Sequence, residues 1–436
     1  VPQQDFDDRY ELRQGAPRLT PEGLPDQITL GRIDAMNLGF LEPAPDPETL
    51  AKDVQAHIDD HEVTFDVYRK HPVPGSLDEV APVGTFSGIP KEISWGNGDA
   101  ANTFAIVGVT VRATDRRRGI LRRMMTAALD WAAAEGIPLA SLTASEATIY
   151  RRFGFGPAIR ERTVTIKRNG ALPLLAPTSG EVVVVPPAML REGAARSVFD
   201  RFHARTLGSM VRNTGTWGSA LGHANTEKEP DRAVRAAIHR DGEDVDGYVT
   251  YRFLGDDGKP ARVRIVDFIA ATEAAYIALW EFLLSIDLVE QVEYPFARVD
   301  DPIVHVLSNS RSFDVDHEED HVWLRILDAV AVLESRPYAA DGTLVLTVED
   351  TLGHAAGKYR LIVLEGRGHV ERIAPADESV ASGITLDVAT LGSMLLGAVD
   401  PVVLHDVGLV TGSIDDAATL RAMLRPARTP HGMTYF

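Results

Sequence analysis

The stretch Val107–Leu129, VGVTVRATDRRRGILRRMMTAAL, puts five arginines (Arg116, Arg117, Arg118, Arg122 and Arg123) into eight residues of a chain whose formal net charge is −19. They fall where an apolar run ends and a helical pattern begins. A helix start offers unpaired backbone N–H groups and the positive end of a dipole, which together bind phosphate oxygens. Basic residues there oppose the dipole and are costly without an anion. Gly119 allows close backbone approach, and arginines add forked, permanently charged donors. The turn therefore predicts an anion site, with a pyrophosphate as its expected occupant; the bland alternative is a solvated basic helix start. The dinucleotide fingerprint GxGxxG is missing, and GHAAGK at Gly353–Lys358 has the wrong spacing for a phosphate loop and is followed by Tyr359.

Working outward, PDPETLAKDVQAHIDDHE (Pro45–Glu62) reads as a capped helix with Leu50, Val54 and Ile58 at helical spacing. Strand-like runs EVTFDVYRK, VGTFSGIPKEISW and TFAIVGVTV lead into the arginine turn, a helix, the strand PLASLTA and the short helix of SEATIYRRFGFGPA. The order then repeats. GEVVVVPP precedes a helix, three strands ending in ARVRIVDFIAAT, the helix EAAYIALWEFLLSID and the strand LVEQVEYPF. Both copies leave a strand through Ala-Thr-acid, Ala113-Thr114-Asp115 and Ala271-Thr272-Glu273, but the second is one residue shorter and lacks every arginine and the glycine. A fold needs strand, turn and helix in both copies, so what only the first keeps points to function. From Asp320 the pattern changes: VWLRILDAVAVLESRPY reads as the start of a helix, followed by alternating strands separated by Gly or Asp turns. The tail RPARTPHGMTYF is expected to be extended.

At 436 residues, with domains of about 100–200 residues, two to four domains are expected. Sixty-three acidic against 44 basic residues argue against a nucleic-acid binder; the acidity suits attraction of cationic substrates, or simply a soluble surface. The absence of cysteine excludes disulfides and thiolate chemistry and suits a cytoplasmic location. No run approaches the roughly 18 apolar residues of a membrane span. The opening VPQQDFDDRYELRQ shows no secretory leader, and its missing methionine suggests a trimmed start.

VTVRATDRRRGIL resembles the acetyl-CoA motif of the GNAT N-acetyltransferases, R/Q-x-x-G-x-G/A after a splayed strand, with Leu121 where many have Gly or Ala. The whole chain resembles the Eis-type aminoglycoside acetyltransferases. Three further features carry this: TASEATIYRRFGFGPA, the degenerate second copy, and a C-terminal segment similar to sterol carrier proteins. The resemblance implies an α/β (α+β) architecture: a catalytic GNAT domain (1–165), a degenerate GNAT-like domain (166–320) and a sterol-carrier-like domain (321–436) whose tail enters the active site. It also implies a homo-hexamer.

In that reading acetyl-CoA is the co-substrate. Val109 to Val111 would pair with its pantetheine arm like an added strand, with a backbone N–H there aimed at the acetyl oxygen. Arg116, Arg117, Gly119 and Ile120 would cradle the pyrophosphate, with Ser145 beside the pantetheine or acetyl end. The resemblance places a tyrosine general acid at Tyr150, whose phenol of pKa about 10 would protonate a thiolate of pKa about 8.5; its alternative role is packing beside Phe153 and Phe155. It also implies that the terminal carboxylate of Phe436 accepts the amine proton, although a tail that simply packs would look the same. Phe40, Leu41, Glu42 and Trp217 are the expected acceptor-site residues, for polyamines such as aminoglycosides. Protein lysines are an alternative acceptor, and a lipid-binding protein with a GNAT scaffold an alternative class.

HEEDH (His317–His321) fits the zinc-protease spacing, but its acidic surroundings at a junction predict a solvated linker. HIDDH (His57–His61) reads as a solvated helix face, and no metal is expected.

Overall fold

The computed structural model describes residues 3–144, 146–168, 170–222, 231–255, 260–374 and 383–436. Three sheets carry it, two of seven strands and one of five. In the first sheet, Gly84–Ser94 and Ala100–Val111 form an antiparallel hairpin. Ala100–Val111 then pairs in parallel with Leu139–Thr143, but only through Thr103–Ala105 and Leu139–Ser141. Beyond those residues the two strands part. The helix Ile120–Ala134 crosses between them and buries Met124, Met125, Ala128, Leu129 and Ala132 against the sheet, the helical spacing expected of its apolar face.

The second sheet repeats this frame. Arg262–Ala270 and Gln291–Ala297 pair in parallel only at Arg262–Arg264 and Gln291–Glu293 before they part. The helix Glu273–Ser285 crosses between them.

The two copies exchange strands. Arg160–Lys167, which follows the first copy in sequence, lies in the second sheet beside Gln291–Ala297. Val322–Ile326, which follows the second, lies in the first sheet beside Leu139–Thr143. This alters two readings of the sequence. VWLRI is a strand, with the helix beginning only at Ala329; all five of its residues are buried, and a short run apolar but for Arg325 carries no period to separate strand from helix. HEEDH is no linker: Phe313–Asp320 is the edge strand of the second sheet, paired with Arg160–Lys167. His317 is exposed on it, while His321 is buried. HIDDH is a largely solvated face, with Asp59 and His61 exposed and His57 half-buried, although His57 Nδ1 lies 2.5 Å from the buried carboxylate of Glu62.

The third sheet carries strands Gly342–Glu349, Gly357–Leu364, Arg367–Ile373, Ile384–Asp387 and Val410–Thr411. Leu344, Leu346, Leu361, Leu391, Met394, Leu420 and Met423 fill its core. Fully buried Arg325 of the first sheet ties the third domain on through both carboxylate oxygens of Asp350, at 2.7 and 2.8 Å. Among the described residues, no helix is long and apolar enough to cross a membrane.

Candidate functional site

The arginine turn is built from beneath. Asp115 is fully buried and accepts from Tyr10 (2.7 Å), Thr114 (2.7 Å) and Arg69 (2.8 and 2.9 Å). Burial would raise its pKa, but these donors outweigh burial and hold it below the ordinary carboxylate range. Asp78 accepts from Arg112 and contacts Arg69 at 3.4 Å. The buried acids thus employ Arg69 and Arg112, while Arg116, Arg117 and Arg122 stay exposed. Arg123 pairs with Asp7 at 3.0 Å.

Arg117 (φ 63°) and Gly119 (φ 81°) both take the left-handed conformation, and Gly119 caps the helix without any side-chain hydrogen bond. Backbone curled in this way gathers N–H groups into an anion-binding concavity. The turn opens on a cleft of about 1110 Å³, lined by Phe40, Val109, Val111, Arg116–Arg118, Gly119, Ile120, Glu146 and Tyr150 among others. Val109 lies in a bulge: the register shifts between Thr85 and Ser87, leaving Gly108 (φ 61°) and Val109 opposite Phe86, with the Gly108 carbonyl accepting from Thr85 at 2.8 Å.

Tyr150 ends the short helix Ala147–Tyr150, nearly buried, edge-on to Phe155 at 6.2 Å between centroids. Burial raises its pKa, and the charge of Glu146 raises it further, so the phenol keeps its proton. Seven of the expected residues thus share one cleft with Phe40: Val109, Val111, Arg116, Arg117, Gly119, Ile120 and Tyr150. Ser145 lies outside the described residues.

The tail is extended, as expected, and buried from Pro430 to Thr434. It runs along the second copy. Met433 joins the second core, Arg212 reaches its carbonyl at 3.5 Å, and Thr434 donates to the Met210 carbonyl at 2.9 Å. The last residue then crosses to the first sheet, where Thr143 donates to the Phe436 carbonyl oxygen at 3.2 Å. Thr143 ends the strand that leads on to the Tyr150 helix. Buried Lys91 places its Nζ 5.8 Å from the Phe436 ring and donates to the Val211 carbonyl at 2.8 Å; desolvation pulls its pKa down to about 8.

The expected acceptor residues divide. Phe40 lines the cleft. Leu41 and Glu42 are exposed just past the helix Gln27–Phe40, Leu41 being its left-handed cap. Trp217 is buried in the second core instead, edge-on to Phe199 at 5.3 Å and beneath the Arg212 guanidinium at 5.0 Å, which an aromatic at helical spacing often does.

Sequence reading missed the helix Gln27–Phe40, although Asp26 caps it by accepting from the Thr29 N–H, a spacing visible in the sequence. It also missed the buried cluster beneath the Gly108 bulge. There Arg32 lies 3.0 Å from Glu62 and 3.3 Å from Asp66, and also meets Ser87. Burial would raise the pKa of Glu62, but Arg32 and His57 hold it down to about 2; for Asp66 burial wins and pushes it up to about 6. These residues are far apart in sequence, so no motif announces them.

Residues 33–158 match a family described as an acetyltransferase (GNAT) domain, residues 208–326 a second family of that description, and residues 329–432 the sterol carrier protein domain. The chain is 33% identical to an "uncharacterized N-acetyltransferase" of Streptomyces avermitilis, over 91% of this chain and 94% of that protein. It is 34% identical to N-acetyltransferase Eis of Mycobacterium tuberculosis, over 66% of this chain and 69% of Eis. Its fold is similar to the crystal structure of Eis1 from Mycobacterium abscessus, with a TM-score of 0.72 and 28% identity over 86% of this chain and 90% of that one. A GCN5-related N-acetyltransferase from Anabaena variabilis shares the fold at a TM-score of 0.78 and 18% identity, covering 98% of this chain and 100% of that one.

Proposed function

Because the chain belongs to the Eis-type GNAT N-acetyltransferases, we propose that it moves the acetyl group of acetyl-CoA to primary amines of aminoglycosides, at several positions of one molecule. The observation that carries this reading is the pairing of an arginine-lined, uncapped helix start with buried Tyr150 in one cleft. When bound, acetyl-CoA supplies the activated acyl group. Arg116, Arg117, Gly119 and Ile120 hold its pyrophosphate. The edge of Val109–Val111 left free by the parting strands pairs with its pantetheine arm, and a backbone N–H there polarises the acetyl carbonyl.

The acceptor amine must be neutral to attack. Its nitrogen forms the new bond to the carbonyl carbon, the carbon–sulfur bond breaks, and Tyr150 gives its proton to the departing thiolate. The amine proton passes to the carboxylate of Phe436, directly or through water. A carboxylate of pKa near 3.5 is a weak base, so its value lies in placement and in attracting the ammonium form. The hydrogen bond from Thr143 supports that placement. Phe40, Leu41 and Glu42 border the acceptor side, and the acidic net charge favours polycations. We read the assembly as a homo-hexamer, and the exposed Val403, Val407 and Ile414 of the third domain supply apolar surface for contacts between copies.

The test is CoA release from acetyl-CoA with a panel of aminoglycosides, counting acetyl groups on each product by mass spectrometry. Multiply acetylated products are expected. Turnover confined to polyamines or lysine peptides would move the acceptor to that class. Extending the chain past Phe436 should cut turnover and leave acetyl-CoA binding intact; full turnover in the extended protein would remove the carboxylate from the mechanism.

A further inference from the structure

The exchanged strands cross where the tail ends. Glu161 is the second residue of the strand that leaves the first copy, and His321 stands directly before the strand that returns to it, its backbone N–H donating to the Ile159 carbonyl at 2.8 Å. Both side chains are buried, and each meets the tail. His321 Nδ1 lies 2.5 Å from Glu161 Oε2, and its Nε2 lies 3.2 Å from the Thr434 carbonyl oxygen. The His321 ring stacks on Tyr435 at 4.4 Å between centroids and 20° between planes. The Tyr435 hydroxyl donates to the other oxygen of the same glutamate, Glu161 Oε1. His321 thus faces oxygen atoms at both ring nitrogens, and Glu161 meets the clasp at both carboxylate oxygens, accepting from Tyr435 at Oε1 and lying in close contact with His321 at Oε2.

From this geometry we infer that Glu161, His321 and Tyr435 form a clasp that fixes the position of Phe436, and so act as positioning residues for acetyl transfer. The clasp holds the two residues before Phe436 from side and face. Val322, next to His321, pairs with Thr143, whose hydroxyl donates to the Phe436 oxygen. The same crossing point therefore sets both ends of the last peptide. A positioned group loses rate steeply when displaced; about 1 Å can cost on the order of a hundredfold. The effect on turnover rests on the proposal that Phe436 takes the amine proton, whereas the clasp itself does not.

The experiment compares Glu161→Gln and Tyr435→Phe, each of which removes one polar function at nearly constant volume. Two readouts are taken on the full chain: steady-state kinetics, and release of Phe436 from the native protein by a carboxypeptidase. Release at least about tenfold faster than in the parent is expected, because local opening governs attack on a held segment. A kcat lowered about tenfold or more, with KM for acetyl-CoA unchanged, is expected beside it. The double variant should lose no more than the worse single one, since both act on one contact. Release as slow as in the parent from both variants overturns the clasp, whatever turnover does. Fast release with undiminished turnover supports the clasp and instead removes Phe436 from proton transfer. If Glu161→Gln fails to fold, Tyr435→Phe, which loses one hydroxyl at a partly exposed ring, decides alone.

Discussion

At the start of the helix Glu273–Ser285, Thr272 accepts from the Ala275 N–H at 3.1 Å and hydrogen-bonds to Asp246, and Glu273 adds a negative charge to the first turn. At the matching place in the first copy, Gly119 offers no side-chain cap, no acid stands in the first turn, and exposed arginines surround the opening. The second helix start is completed by its own chain. The first is left for a ligand to complete. The forks between parting strands differ in what occupies them: in the second, Met433 packs into the core, 3.8 Å from the Tyr294 hydroxyl, and Tyr435 and Phe436 line a cleft of about 740 Å³ with Asp267 and Phe296, while the first fork borders the cleft of about 1110 Å³ at the arginine turn. Even the short helices beyond the forks differ, Ala147–Tyr150 ending on a tyrosine and Ile303–Val306 on a valine. Duplication kept what the frame needs, and the residues present in one copy alone mark where chemistry is expected.

The sharpest way to break this contrast is Tyr150→Phe. Loss of a general acid should lower kcat by about 10²- to 10⁴-fold, with acetyl-CoA binding retained, as read by stopped-assay kinetics and calorimetry. A loss below about threefold would reduce Tyr150 to a packing residue beside Phe155.

Next in size are Arg116→Ala and Arg117→Ala. Charge-assisted hydrogen bonds are worth about 1.5–3 kcal/mol, so each change should weaken acetyl-CoA binding by roughly ten- to a hundredfold, more at low salt than at high. Unchanged affinity in both variants would mean that the turn holds no pyrophosphate. The matching change in the other copy, Thr272→Ala, should cost about 1 kcal/mol of stability and leave acetyl-CoA affinity untouched, measured by denaturant melts beside titration. Lost affinity there would refute the assignment of a purely structural role to the second turn.

The arginine turn, the repeat and the order of elements were legible in the sequence because each is local: a period, a turn, a spacing. The strand exchange was not, since Val322–Ile326 is apolar but for Arg325 and shows no alternation, and Phe313–Asp320 is an edge strand whose acidic residues, none of them buried, resemble a linker. Reading HEEDH as solvated missed a histidine that is buried only because the other copy's strand and the tail cover it. Asp115, Arg69 and Tyr10 form one hydrogen-bonded group although Tyr10 and Asp115 are 105 residues apart, so the bracing of the turn left no trace in local pattern. Trp217 shows the opposite limit, where residue type suggested a pocket wall and packing made it core.

The smallest expected effect tests the electrostatics of the first copy alone. Two causes raise the Tyr150 pKa, burial first and the Glu146 charge second. The phenol acts as an acid only while protonated, so kcat should fall as pH rises through that pKa. Glu146→Gln removes the second cause and leaves burial, so the pKa moves down and the alkaline limb of kcat moves to lower pH. Glu146 is exposed, so salt screens its field, and the displacement should shrink as ionic strength rises while the limb of the parent drifts down to meet that of the variant. An alkaline limb that stays fixed in Glu146→Gln, yet disappears in Tyr150→Phe, would keep the acid and discard its neighbour. A limb that survives in Tyr150→Phe would belong to another group. Buried Lys91, with its pKa near 8 beside the Phe436 ring, would then be the first to replace.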